Sequence, residues 1–341
     1  MKFLKIISIL TVNIILIFTL LFFTDFCIYK YYSLNYYKNH PMLFPINKYN
    51  HLWWFPEYFY DLDKYFTGKN NIYSGRLPDG LEYNEKIPIV IFGCSYAYGQ
   101  YLNSNQTFSH KLSEQLQRPV YNRSVPGGGF QQMYMQSVSD KLYKTIPFTD
   151  TIIYVMISDH YRRTKLQYFD MLDYHVIPVF KIKDGNLVML DYKNNLKNFF
   201  RSLYIVKLIN HFYAEKCDKN LNNKDLITDE ILLYFIKSRN EFQKRYGSEL
   251  KFYVLFYEDW NIPYADELRK KLTEKGFIVA STIDMTKENL QLSEYRMPDN
   301  YHPTEAAWDL LTPLIIEQFN LNDDIPITEE INENENSLIK N

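Results

Sequence analysis

Ser95, Asp299 and His302 of this 341-residue chain stand in sequence settings that suit an activated serine. Ser95 follows Gly93-Cys94 at the end of the apolar run Ile87-Pro88-Ile89-Val90-Ile91-Phe92. Asp299 and His302 stand three residues apart, about 200 residues further along, in Asp299-Asn300-Tyr301-His302-Pro303. A serine hydroxyl becomes a competent nucleophile when an imidazole takes its proton, and a carboxylate on the far ring nitrogen holds the imidazole in the right tautomer. The chemistry this set would do is acyl transfer through a seryl ester. A histidine alone would carry little weight. The Asp-x-x-His-Pro spacing, the helix start that follows it and the earlier Gly-x-Ser turn carry it together.

The elements around these residues must bring them to one place. The apolar run reads as a buried strand, and the turn after it sets Ser95 at the carboxyl edge of a sheet, where open α/β folds hold their chemistry. From residue 87 strands and helices alternate: strands at 87–92, 120–122 and 151–157, with helices at 108–116 and 131–145. The alternation resumes with a strand at 251–257, a helix at 265–275, a strand at 277–280 and a last helix at 304–319. Such alternation predicts a parallel sheet with helices on both faces, a three-layer α/β/α sandwich. Residues 160 to about 247 interrupt it and read as an insertion that shapes or covers the site. There, 176–182 and 187–191 flank Lys183-Asp184-Gly185-Asn186, a hairpin signal, and amphipathic helices are expected at 195–215 and 229–246.

The N-terminus has a different character. Lys2 and Lys5 precede an apolar stretch from Ile6 to Phe23, whose 18 residues would rise about 27 Å as a helix, close to a hydrocarbon core. Phe22-Phe23-Thr24-Asp25-Phe26 is too bulky for a signal-peptidase site, so residues 1–27 read as an uncleaved transmembrane anchor. The two lysines favour an N-terminus inside and a domain outside the cytoplasm. Residues 28–85 form an aromatic-rich lead-in, 86–320 the α/β domain, and 321–341 an acidic tail expected to be disordered.

A net charge of −2 gives no reason to expect a nucleic-acid partner. The excess of aromatic residues reads as compositional bias rather than as a stacking surface. Cys27, Cys94 and Cys217 are odd in number and lack metal-ligand spacing. His40, His51, His110, His175 and His211 show no partner pattern. No metal site and no cofactor are expected.

The segments that carry chemistry resemble, in their order, the SGNH hydrolases, also called the GDSL esterase/lipase family. Gly93-Cys94-Ser95 looks like the family's Gly-Asp-Ser, with Cys94 in place of the acid. Asn122-Arg123-Ser124-Val125-Pro126-Gly127 resembles the second block, in which Gly127 matches the oxyanion-hole glycine. A glycine there lets its N–H approach a developing oxyanion without a side chain in the way. Ile157-Ser158-Asp159 resembles the third block, where Ser158 replaces the asparagine that donates to the oxyanion. Either Ser158, a water or a neighbouring group compensates, or activity is modest. Asp299-x-x-His302 matches the acid and base.

The resemblance implies a seryl acyl-enzyme, with Ser95, Gly127 and Ser158 as oxyanion donors. His160, Arg162 and Arg163 are candidates to contact substrate; the arginines suit an anionic sugar or, equally, a structural carboxylate. The expected activity is that of a serine esterase or O-acyltransferase. An anchored, outward-facing domain suggests an acyl group, such as acetyl, on a cell-surface glycan. A catalytically weakened carbohydrate-binding or assembly protein and a lipid esterase are the alternatives.

Overall fold

A computed structural model describes residues 78–165 except 84, residues 180–189, 224–257, 264–299 and 301–322, together with scattered helical residues between 13 and 27. Among the described residues no helix is long and apolar enough to cross a membrane. Most of the expected anchor, the lead-in before residue 78, the expected helix at 195–215 and nearly all of the acidic tail lie outside the described residues.

Among the described residues five parallel strands make the central sheet: β1 (Ile89–Phe92), β2 (Val120–Asn122), β3 (Thr151–Met156), β6 (Lys251–Phe256) and β7 (Ile278–Ser281). Their spatial order is β2-β1-β3-β6-β7. β1 and β3 are buried along their whole length, as a strand covered on both faces must be. Successive side chains divide between the faces. Ile89, Ile91, Ile153, Val155, Tyr253 and Leu255 join one apolar cluster with Phe108, Trp308, Leu311 and Ile315. Val90, Phe92, Ile152, Tyr154, Phe252 and Val254 join the other with Phe130, Phe235, Phe242 and Leu268. The first layer is therefore α2 (Phe108–Leu116) with α9 (Glu305–Gln318), which follows the short α8 (Thr282–Met285). The second is α3 (Phe130–Ser137), α6 (Lys224–Tyr246) and α7 (Ala265–Glu274). The α/β/α sandwich expected from the alternation is what forms.

Two details depart from the sequence reading. The helix expected at 131–145 is two helices, α3 and α4 (Asp140–Thr145), broken where Ser139 turns extended and Asp140 opens a new first turn. The stretch read as an insertion also divides. Its first described part is a two-stranded hairpin, β4 (Phe180–Lys183) and β5 (Asn186–Met189), joined by Asp184 and Gly185, both with positive φ as a two-residue turn requires. Its last part, α6, belongs to the sandwich itself. Ile231, Tyr234, Phe235 and Phe242 are fully buried against the sheet, so this helix supplies the crossover from β3 to β6. Periodicity marks a helix, but not whether its apolar stripe meets the sheet.

In this strand order, β1 leads to β2 on one side and to β3 on the other. The carboxyl ends of β1 and β3 flank the point where the winding reverses, the crevice in which open α/β sheets place ligands.

Candidate active site

Ser95 opens α1 (Ser95–Tyr98), a single turn separated from β1 by Gly93 and Cys94. The turn is possible because position 93 is glycine: a Cβ there would sit 2.9 Å from the Ala97 Cβ and 3.0 Å from the Val155 carbonyl oxygen. Ser95 is 6% exposed. Cys94 beside it is fully buried, and burial raises its thiol pKa, so it is no rival nucleophile.

The acid and base sit in the loop that leads into α9. The Met297 N–H donates to the His302 carbonyl (2.8 Å) and the Thr304 N–H to the Tyr295 carbonyl (3.0 Å). Thr304 caps α9, its hydroxyl accepting from the Ala307 N–H. α9 is fixed in turn by Trp308, stacked on Phe108 of α2, and by Glu305, which accepts from Gln106 (2.8 Å) and Lys111 (3.2 Å). Within the loop, Asp299 Oδ1 accepts the N–H of Tyr301 (2.9 Å) and of His302 (3.1 Å). This leaves Oδ2 for His302 Nδ1, with which it makes a short hydrogen bond. The other ring nitrogen, His302 Nε2, lies 2.8 Å from Ser95 Oγ.

Burial works to raise the Asp299 pKa, but bonds from the His302 ring and the Tyr301 amide outweigh it and hold the carboxyl below its usual range. The carboxylate therefore stays charged beside the imidazole. Two tyrosines touch that imidazole, Tyr96 at 5.3 Å between ring centroids and Tyr101 at 5.3 Å edge-on. The three residues singled out for an activated serine thus form a continuous hydrogen-bonded chain, in the geometry that lets serine lose a proton to histidine.

Gly127 and Ser158 come to the same edge of the sheet. Val125-Pro126-Gly127-Gly128 is a tight turn closed by the Gly128 N–H on the Val125 carbonyl (2.7 Å). Proline at its second position and a φ of +72° at Gly127 are the signature of a type II turn. The turn's own bond leaves the Gly127 N–H unused. A bond from the Val125 N–H to the Gly93 carbonyl (3.0 Å) ties this turn to the one carrying Ser95. Asn122, fully buried, donates to the Ala97 carbonyl (2.7 Å) and accepts from the Ser124 N–H (3.2 Å), locking both turns together. Ser158 follows β3, and its hydroxyl oxygen is buried and makes no hydrogen bond among the described residues.

Of the residues considered for substrate contact, His160 and Arg163 are placed otherwise. Arg163 is 5% exposed. It donates from Nε and Nη2 to Asp159 (2.7 and 2.6 Å) and from Nη1 to the Gly128 carbonyl in a very short contact. It is the structural-carboxylate partner, one of the two roles open to it, and it pins the glycine turn to α5 (Asp159–Lys165). The (i, i+4) spacing of Asp159 and Arg163 was the available signal. The Arg162 side chain lies outside the described residues. His160 is fully buried, hydrogen-bonded to the Tyr154 hydroxyl at 3.1 Å and edge-on to Phe130. Burial first, then the Arg163 charge, pushes its pKa well below the usual value, so it folds neutral.

That burial predicts a pH effect on stability. Between about pH 6.5, where an unfolded histidine protonates, and pH 5, the unfolded chain binds a proton that the folded one refuses. Stability is therefore lost as pH falls through this window, by at most about 1.4 kcal/mol per pH unit for one histidine. Thermal melts of the His160→Gln protein are expected to fall off less between pH 6.5 and 5 than those of the wild type. Parallel pH profiles would contradict this account.

By sequence, the chain matches no family model and no curated protein. Among solved structures it is similar to TesA, at 10% identity and a TM-score of 0.40 over 68% of this chain and 97% of that one. It is similar to a member of the lipolytic protein G-D-S-L family from Veillonella parvula DSM 2008, at 10% identity and 0.39 over 69% and 98%. The lipase Lip_vut3 from goat rumen metagenome gives 9% identity and 0.39 over 71% and 100%.

Proposed function

We propose that this chain is a serine hydrolase of the SGNH type, an esterase acting through Ser95, His302 and Asp299. The observation that carries this reading is the unbroken chain from Ser95 Oγ through His302 Nε2 and Nδ1 to Asp299 Oδ2. In the reaction, Ser95 Oγ attacks the ester carbonyl while its proton passes to His302 Nε2. The tetrahedral oxyanion is met by the N–H groups of Ser95 and Gly127 and the Ser158 hydroxyl. As the C–O bond breaks, His302 returns the proton to the departing alcohol, and Ser95 keeps the acyl group. Water then attacks the acyl carbon as His302 takes its proton, and His302 passes that proton to Ser95 Oγ as the C–O bond to serine breaks and the acid leaves. With a sugar hydroxyl in place of water, the same steps make the protein an O-acyltransferase.

The substrate this reading favours is an acylated, in particular acetylated, glycan at the cell surface. The support is the sequence: a lysine-flanked apolar stretch at 6–23 would anchor the chain once through the membrane with the domain outside. The test of the activity is a fluorophosphonate probe applied to the full chain in detergent, with the adduct located by mass spectrometry. Labelling of Ser95 that disappears in the His302→Ala protein is the expected result. No labelling of folded protein would favour instead a glycan-binding or assembly protein, a reading motivated by the serine at position 158.

Ser158 provides a sharper check. A buried hydroxyl that makes no bond among the described residues has its donor unspent. Ser158→Ala is expected to lower kcat by about 100-fold with KM little changed, as removal of one oxyanion donor does. An unchanged kcat would remove Ser158 from the oxyanion hole.

A further inference from the structure

Tyr101 occupies a backbone position that its side chain does not explain. It lies in the turn from Gly99 to Leu102, closed by the Leu102 N–H on the Gly99 carbonyl (3.1 Å), with a φ of +71°. A residue with a Cβ is disfavoured there, and glycine or asparagine is the usual occupant. Core packing does not compensate. Leu102, the next residue, is the one that enters the core, whereas Tyr101 is 42% exposed. What the left-handed turn achieves is to set the phenol ring edge-on to His302, with 5.3 Å between centroids and 88° between planes. A strained residue beside a candidate site is a reason to look for a role.

The direction of proton flow gives that role. Resting on the esterase reading above, His302 must hand its proton to the oxygen of the departing alcohol, so the alcohol half of the ester lies on the His302 side of Ser95. Of the two tyrosines touching the imidazole, Tyr96 is 3% exposed and Tyr101 is the one open to solvent. We propose that Tyr101 is a specificity-determining residue that seats the alcohol half of the substrate, a pyranose whose apolar C–H face lies on the phenol ring. Burial first and then the nearby Asp299 charge raise the phenol pKa, against a hydrogen bond with the Gln100 side chain, so the hydroxyl stays protonated.

The test uses the full chain in detergent and the variant Tyr101→Gly, which removes the ring and suits the left-handed turn. Two acetate esters are compared, an acetylated methyl pyranoside and ethyl acetate, which share the acyl group and differ in the alcohol. The variant is expected to melt at or above the wild-type temperature. Its kcat/KM should fall about tenfold further for the pyranoside than for ethyl acetate, the excess appearing mostly in KM and having the size of one aromatic contact. An equal fall for both esters would mean that the ring only orients His302, and no fall would mean that it does nothing; either overturns the proposal. A second measurement separates it from the reading on which it rests. The Ser95→Ala protein is titrated with the unacetylated methyl pyranoside, with and without Tyr101→Gly. Sugar binding that needs Tyr101 in a protein that cleaves neither ester would uphold the seat and sink the esterase. Cleavage of both esters with binding that ignores Tyr101→Gly would do the reverse.

Discussion

Ser95→Ala is expected to lower kcat for ester hydrolysis by about 10⁵-fold or more, and His302→Ala by a similar amount. The double variant should be no worse than either single one, because nucleophile and base act as one unit. Asp299→Asn tests the geometry more finely. Oδ1 of Asp299 is already occupied by the N–H groups of Tyr301 and His302, so an asparagine must place its oxygen there to keep the loop. Its NH₂ then faces His302 Nδ1. The imidazole is forced to accept at Nδ1 and to carry its proton on Nε2, where it cannot take one from Ser95. The expected loss is about 10⁴-fold in kcat, with the fold intact. Steady-state kinetics and a thermal melt of each variant check this. An Asp299→Asn protein within tenfold of wild type would show that the tautomer is not set by this carboxylate.

The second large effect is expected from Arg163. Its guanidinium satisfies the Asp159 carboxylate and the Gly128 carbonyl at once, in a site almost closed to water. Arg163→Met leaves the carboxylate without its cation and the carbonyl without its donor. Breaking a buried pair from one side costs about 3 kcal/mol, which lowers the melting temperature by roughly 6–12 °C for a domain of this size. Because the same bond holds the Gly127-Gly128 turn, the rate of fluorophosphonate labelling should also drop by about tenfold in protein kept below its melting range. Asp159→Asn in the Arg163→Met background should return part of the stability, since no unpaired charge is then left, but not the labelling rate. A melting temperature within about 2 °C of wild type would show that the latch carries little.

The parts of this architecture that could be read from the sequence are those written as local pattern. The apolar run before Ser95 and the run 151–157 are buried on both faces and show it, and the Lys183–Asn186 turn has the residues a two-residue hairpin demands. The Asp299–His302 spacing works because both side chains lie in one short loop, where sequence distance and spatial distance agree. What was not legible depends on contacts between distant segments. Arg163 reads equally as a ligand for an anionic substrate or as the partner of a structural carboxylate; the Asp159 spacing signals the second, but nothing local says that the Gly128 carbonyl lies beside it. His160 reads as a site residue because it stands two residues after Ser158, a candidate oxyanion donor, yet it turns inward onto Tyr154. α6 looked like part of an insertion because a hairpin and a long stretch separate it from β3. The conformation of Tyr101 had no signal at all, since left-handed turns announce themselves by glycine or asparagine.

The hydrogen bond between Ser95 and His302 joins positions 207 residues apart. Closing a contact of that separation costs loop entropy, which makes such contacts slow to form. During synthesis the strand, turn and serine leave the ribosome long before the imidazole exists, and the base arrives with the last helix of the sandwich. A growing or truncated chain would therefore carry its nucleophile unarmed. On the esterase reading, hydrolysis would begin only when the segment carrying Trp308 docks against Phe108, so that assembly of the sandwich and onset of the proposed chemistry are a single event.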